Sequence, residues 1–159
     1  MYPGNAGVHG GSGPLISVAK TTEDLATAKA IRHQIFVREQ GIPAELDDDG
    51  LDDGAIHLLL WIDGKAAGTG RLVLPSKDTG ILARIAVHAQ YRGRQLGGLI
   101  VAALEEQAVR LSLRRLELCP HAHLEAFYQN LGYRTIGGNH RAGPHDLITM
   151  EKVLTAPNT

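Results

Sequence analysis

Hydrophobic and polar positions along the chain fall into short, well-separated periodic runs. Ile16 to Ala19 is a brief apolar run that predicts the first strand. Leu25, Ala28, Ile31 and Ile35 then recur at helical spacing, with Thr22 as the expected N-cap and Glu23 and Asp24 in the first turn. Gly41 and Pro43 end that helix. AIHLLLWI (55–62) reads as a buried strand, Asp63-Gly64 as a two-residue hairpin turn, and KAAGTGRLVL (65–74) as the returning partner. After a turn over Pro75 to Gly80, ILARIAV (81–87) is the next strand. Ile100, Ala103, Leu104, Ala108 and Leu111 mark a long amphipathic helix. RLELC (115–119) is a strand stopped by Pro120, and Leu124, Phe127 and Leu131 give a short helix closed by Gly132. Residues 133–137 and 147–154 are the last strands. The order β-α-β-β-β-α-β-α-β-β predicts an α/β fold with a mixed, largely antiparallel central sheet flanked by helices.

No repeat or linker interrupts this series, so residues 15–155 are read as one domain. Residues 1–14, with five glycines and two prolines, and residues 156–159 read as tails. Apolar residues make up 43% and charged residues 21% of the chain, as in ordinary globular proteins. A net charge of −1 supplies no global field for nucleic acid or an anionic membrane. No apolar run approaches the roughly 18–20 residues that span a bilayer. Cys119 is the single cysteine, which rules out an intrachain disulfide and suits a reducing cytoplasm.

The segment ARIAVHAQYRGRQLGGLIVAALEEQA (83–108) is a strand, a basic Gly-containing loop and a helix. A helix N-terminus presents unpaired N–H groups and partial positive charge, Gly93 permits close backbone approach, and Arg92 and Arg94 add cations. This describes a pyrophosphate cradle, although a plain turn with two solvated arginines has the same composition. Neither G-x-x-x-x-G-K-[ST] nor G-x-G-x-x-G is present, which excludes the familiar nucleotide and dinucleotide loops.

Arg92, Gly93, Arg94, Gln95, Leu96 and Gly97 resemble the Q/R-x-x-G-x-G/A signature of GNAT acetyltransferases, with Gln95 where the fourth position usually holds Gly. Phe127-Tyr128-Gln129-Asn130-Leu131-Gly132-Tyr133 matches the family's F-Y-x-x-x-G-[FY], about thirty residues later. A finer resemblance is to the ElaA-like branch, carried by Arg32, Ile35-Phe36-Val37-Arg38-Glu39-Gln40-Gly41-Ile42-Pro43, the acidic stretch, His57-Leu58 and Gly68 to Leu72. The resemblance implies a GNAT-type fold and transfer of acetyl from acetyl-CoA to a primary amine by direct attack. It also implies a family in which dimers are common.

Three roles follow from that chemistry. The leaving thiolate needs a proton, and by resemblance Tyr128 gives it; otherwise Tyr128 is a core tyrosine. The backbone of Ile85, Ala86 and Val87 is expected to bond the pantetheine arm where the fourth and fifth strands splay. For the base, His145 lies in a Gly143-Pro144-His145 segment like one that holds a catalytic histidine in some relatives, and a water chain is the alternative. Arg32, Phe36 and Arg84 are candidates for substrate binding, with Arg84 alternatively paired to the acidic stretch. Cys119, His121 and His123 lack a standard zinc spacing, and Ile56 stands where an EF-hand needs Glu, so no metal is expected.

ELDDDGLDD (45–53) holds six acids and no base. On the acceptor side of a cleft it would favour a cationic amine; as a solvated loop it would be partly neutralised by Arg71 or Arg84. Two rival readings share the fold. One is an acyl-homoserine lactone synthase, for which Arg32, Phe36, Glu45, Asp47 and Arg71 have counterparts. The other is a non-catalytic acyl-CoA sensor.

Overall fold

The computed structural model describes residues 13–142 and 144–154. Of the expected tails, all but Gly13 and Pro14 lie outside these residues, as does Gly143. The elements are β1 (Leu15–Val18), α1 (Thr22–Arg32), a π-helical turn (His33–Glu39), α2 (Ala44–Asp47), β2 (Ile56–Ile62), β3 (Lys65–Val73) and β4 (Thr79–Val87). There follow α3 (Leu96–Arg110), β5 (Arg115–Leu118), α4 (Glu125–Asn130), β6 (Arg134–Ala142) and β7 (His145–Val153). The seven strands form one sheet in the order β1-β2-β3-β4-β5-β7-β6. Only β4 and β5 run parallel. The expected α/β fold with a mixed, largely antiparallel sheet is the one observed.

Side chains alternate across the sheet and build a core on each face. In β2, Leu58 and Leu60 enter the larger core with Ile100, Leu104 and Leu116, whereas Leu59 enters a smaller one with Ala28, Ile31, Ile35 and Ala86. Helix α3 therefore covers one face and α1 the other. Glycines in β3 bring α3 close. A Cβ at Gly70 would lie 2.5 Å from Ile100 Cγ2 and 3.0 Å from Leu104 Cδ1.

The boundaries differ from expectation for local reasons. Helix α1 is capped by Thr21, not Thr22; its hydroxyl accepts from the Asp24 amide at 3.0 Å while Asp24 Oδ2 accepts from the Lys20 amide at 2.9 Å. Strand β6 runs on to Ala142, five residues past its apolar pattern, because pairing with β7 continues irregularly through Gly137. His145 is consequently the first residue of β7 and not a loop residue. The Asp63-Gly64 turn forms as expected, with φ of 49° and 77°.

Candidate active site

The parallel pairing of β4 with β5 stops at Leu82 opposite Leu118, although β4 continues to Val87. β5 leaves through Cys119 and Pro120, and the Pro120 carbonyl accepts from the Ile148 amide at 3.0 Å. The strands thus diverge, and a cavity of about 160 Å³ opens between them. Phe36, Leu46, Ile85, His121, Tyr128 and Leu147 are among its walls. Opposite Gly70, β4 carries an extra residue and Arg84 takes φ +55°, a conformation costly for a residue with a Cβ. This bulge bends the strand at the mouth of the gap.

Ladder alternation shows which backbone groups of β4 face the gap. The His88 amide donates to Ala67 O at 2.9 Å and Ala86 pairs with Thr69, so both use their peptide groups toward β3. Ile85 and Val87 point theirs the other way, Ile85 beside the cavity and Val87 beyond it, where its carbonyl accepts from Arg92 Nε. Of the three residues expected to bond a pantetheine arm, Ala86 is therefore excluded as a donor, and its buried side chain belongs to the core under α1.

The basic loop leads into α3 through Gly93 (φ +82°) and Gln95, the N-cap, which adopts φ +62° despite its side chain. Gln95 makes no side-chain cap, so the first-turn amides of α3 at Leu96 and Gly97 have no capping side chain. A Cβ added at Gly93 or Gly98 would meet nothing within 4 Å. These features fit a diphosphate. Arg94 is exposed and lies 5.6 Å over the Tyr91 ring. Arg92 departs from the expected role as a free cation. Its Nε donates to Val87 O at 2.9 Å and its Nη2 to Glu39 Oε1 at 3.0 Å. It ties the end of the π-helical turn to the end of β4.

Tyr128 is nearly buried, and burial pushes its hydroxyl pKa up to about 12. The hydroxyl therefore stays protonated at neutral pH. The remainder of its motif holds it in place. The Tyr128 carbonyl accepts from the Leu131 and Tyr133 amides at 3.0 Å each, with Gly132 between them at φ +97°. Tyr133 donates to Glu105 of α3 at 2.7 Å, which fixes α4 against α3.

The acidic run folds inward. Asp52 Oδ1 accepts from Arg32 Nη1 at 2.8 Å and Arg71 Nη1 at 2.9 Å. Asp49 Oδ2 meets Arg71 Nη2 at 2.8 Å and Arg84 Nη2 at 3.1 Å, and Asp47 meets Arg84 Nε at 2.9 Å and Arg32 Nη2 at 3.1 Å. Burial opposes ionisation of Asp49, but hydrogen bonds from Arg71 and the Leu51 amide, with the charges of Arg71 and Arg84, lower it to about 2. The same competition, decided by Arg32 and Arg71, lowers Asp52. Two expectations change. Arg32, 1% exposed and held by two carboxylates, is out of reach of a substrate. The acid that lines the cavity, Asp47, is already bound by two arginines, so it does not present a free carboxylate to a cationic amine.

His145 also departs from expectation. Its Nε2–H donates to the Gln40 carbonyl at 2.7 Å, and it is not one of the residues that line the cavity. His121, whose ring centroid is 4.7 Å from that of His145, lines the cavity itself. Among the described residues, no three His, Cys, Asp or Glu side chains converge as a metal site. No helix there is long and apolar enough to cross a membrane.

Residues 22–133 match the model of the Acetyltransferase (GNAT) family. The chain belongs to this family. An uncharacterized N-acetyltransferase of Bacillus subtilis, YjcF, is 34% identical over 75% of this chain and 84% of its own length. An acyl-CoA N-acyltransferase from Pseudomonas aeruginosa superposes with a TM-score of 0.80 at 26% identity, over 88% of this chain and 99% of that one. Escherichia coli ElaA shares the fold, with a TM-score of 0.75 at 23% identity over 87% of this chain and 99% of that one. In this GNAT domain Ile85, Tyr128, Phe36 and Arg84 line one cavity, and the loop before α3 is joined to the end of the same strand by the bond from Arg92 to Val87 O. The sequence alone brings His121 forward only as a metal ligand. The signal that marks it is its place one residue after Pro120, where β5 turns away from β4.

Proposed function

We propose that the protein transfers the acetyl group of acetyl-CoA to a primary amine by direct attack within the gap between β4 and β5. The observation that carries this reading is the cavity lined by Ile85 and Tyr128 where β4 and β5 part, on the strand that leads through Val87 and the basic loop to an N-terminus of α3 that no side chain caps. Acetyl-CoA supplies the activated acyl carbon. The amides at the start of α3, Gly93 and Arg94 would hold its diphosphate, and the peptide groups of Ile85 and Val87 its pantetheine arm. Tyr128, protonated at neutral pH, would donate to the departing sulfur. Phe36 and Arg84 border the acceptor side, and the apolar lining there favours an amine carried on an apolar body.

The test is thiol release from acetyl-CoA across a panel of primary amines running from benzylamine to spermidine, with mass detection of the N-acetyl product. Release with at least one amine supports the reading. Tight CoA binding without release from any amine would instead make the protein an acyl-CoA sensor. Turnover only with S-adenosylmethionine and an acyl carrier would make it a lactone synthase.

A further inference from the structure

We propose that His121 is the general base that accepts the proton of the acceptor amine, with His145 as the residue that positions it. The proposal rests on the acetyltransfer reading and adds to it the group that makes the amine nucleophilic.

The geometry singles out His121. Its backbone is pinned by a bridge to Leu147 and by the neighbouring bond from the Ile148 amide to Pro120 O, so the imidazole is carried on rigid elements at the point where β5 departs from β4. Its ring shares the cavity with Tyr128 and Ile85. Behind it the His145 ring packs at 4.7 Å and the His123 ring at 5.4 Å. A carbonyl only accepts, so the bond to Gln40 requires the proton of His145 to sit on Nε2 and fixes the orientation of that ring.

The charges around His121 leave it neutral. Asp47 and Arg84, across the cavity, are paired at 2.9 Å. Asp146 on β7 is paired to Arg141 at 3.3 Å. Tyr128 is protonated, and the Cys119 sulfur lies 3.7 Å from the Thr149 hydroxyl. No carboxylate forms an ion pair with His121 among the described residues. Burial first, then the His145 and His123 imidazoles, hold its pKa below that of an ordinary histidine. A neutral imidazole with a free lone pair is thus available at neutral pH.

The proton balance is complete. The ammonium group of the acceptor gives one proton to His121, which passes it to solvent. The freed nitrogen lone pair forms a bond to the thioester carbon, and the carbonyl π pair moves onto oxygen. When that pair returns, the carbon–sulfur bond breaks and the sulfur takes the Tyr128 proton. The second proton on nitrogen then restores Tyr128.

The experiment measures kcat/KM for acetyl-CoA with the best amine of the panel between pH 6 and 10, for wild type, His121→Gln and His145→Gln. At pH 7 His121→Gln is expected to lose about 10²-fold or more. The deficit should shrink about tenfold per pH unit toward the amine pKa near 10, because the amine then arrives already neutral. His145→Gln should keep activity within about tenfold while its acid limb moves to higher pH, since one like-charged neighbour is gone. Both variants should melt and bind CoA like wild type.

A deficit in His121→Gln that is constant across pH, or an unchanged pH profile, overturns the assignment and leaves acetyl transfer standing. Absence of CoA release by the wild type overturns the transfer reading and this proposal with it. NMR titration of the His121 ring separates the two. A midpoint at or above about 6.5 overturns the base assignment whatever the turnover.

Discussion

Neutralising Asp52 tests the cluster that holds residues 44–53 against the sheet. In Asp52→Asn the side-chain oxygen remains, but the charge opposite two almost fully buried arginines is lost. Breaking a buried pair costs about 3–5 kcal/mol. Arg32 retains Asp47 at 3.1 Å and Arg71 retains Asp49 at 2.8 Å, so the low end, about 3 kcal/mol, applies. For a chain of this length, about 2–4 °C per kcal/mol converts this to a fall in Tm of about 6–12 °C. Calorimetry at pH 7 reads it directly. Against its burial, Arg32 and Arg71 hold the folded pKa of Asp52 below the ordinary 3.8, so its contribution is present above about pH 4 and is lost as pH falls through that lowered value. The difference between wild type and mutant should therefore shrink on acidification over that window. A fall in Tm of less than about 2 °C, or a difference that does not change between pH 6 and pH 3, would refute the cluster as a source of stability. Because Leu46 and Asp47 are cavity walls, the amine KM should rise in the same mutant.

Tyr128→Phe should lower kcat about 10²-fold with little change in KM, seen in steady-state kinetics, since the proton is needed only as sulfur leaves. With its pKa near 12, Tyr128 should add no alkaline limb to the wild-type pH profile below about pH 11. Arg94→Ala should weaken CoA binding about five- to tenfold in calorimetry by removing one charge-assisted contact. Arg92→Ala should also loosen the Glu39 and Val87 contacts, and so raise the amine KM as well. Raising salt from 0.1 M to 1 M should change the amine KM less than about twofold, because the acid facing the cavity is internally paired; a steep rise would restore the acidic run as a steering surface.

The order of elements was legible because each core face repeats at 2 or 3.6 residues, as in AIHLLLWI and in Ile100 to Leu111. The two family motifs were legible because Gly93 and Gly132 mark backbone that other residues adopt at a cost. The end of β6 was not legible, because Gly137, Gly138 and Asn139 carry no apolar alternation and the strand resumes its register with β7 only at His140, opposite Leu147. Gln95 shows the converse. Its left-handed backbone is a property of the strand-to-helix connection and not of its own preference. Long-range pairing was hidden as well. Nothing local in Arg32 says that two carboxylates 15 and 20 residues away will enclose it, and nothing in Arg92 points to Glu39, 53 residues earlier. His121 became visible only once the divergence of β4 and β5 put it beside Tyr128.

That divergence also makes the sheet two leaves joined by a short seam. Among the described residues, the ladder that joins the β1–β4 leaf to the β5–β7–β6 leaf is four residue pairs long, Thr79–Leu82 against Arg115–Leu118, extended at one end by the bonds of the Arg114 and Arg115 amides to Asp78 O at 2.7 and 3.0 Å. Beyond the seam, the leaves meet through side chains packed under α3 and, on the other face, through the bond of His145 to the Gln40 carbonyl. Amides at the seam therefore report on the cooperativity of the whole molecule, whereas those of Ile85 and Val87 exchange with solvent independently of it. A ligand that hydrogen-bonds to both leaves would act as a removable fastener, raising exchange protection along the open edge and coupling two otherwise separable halves.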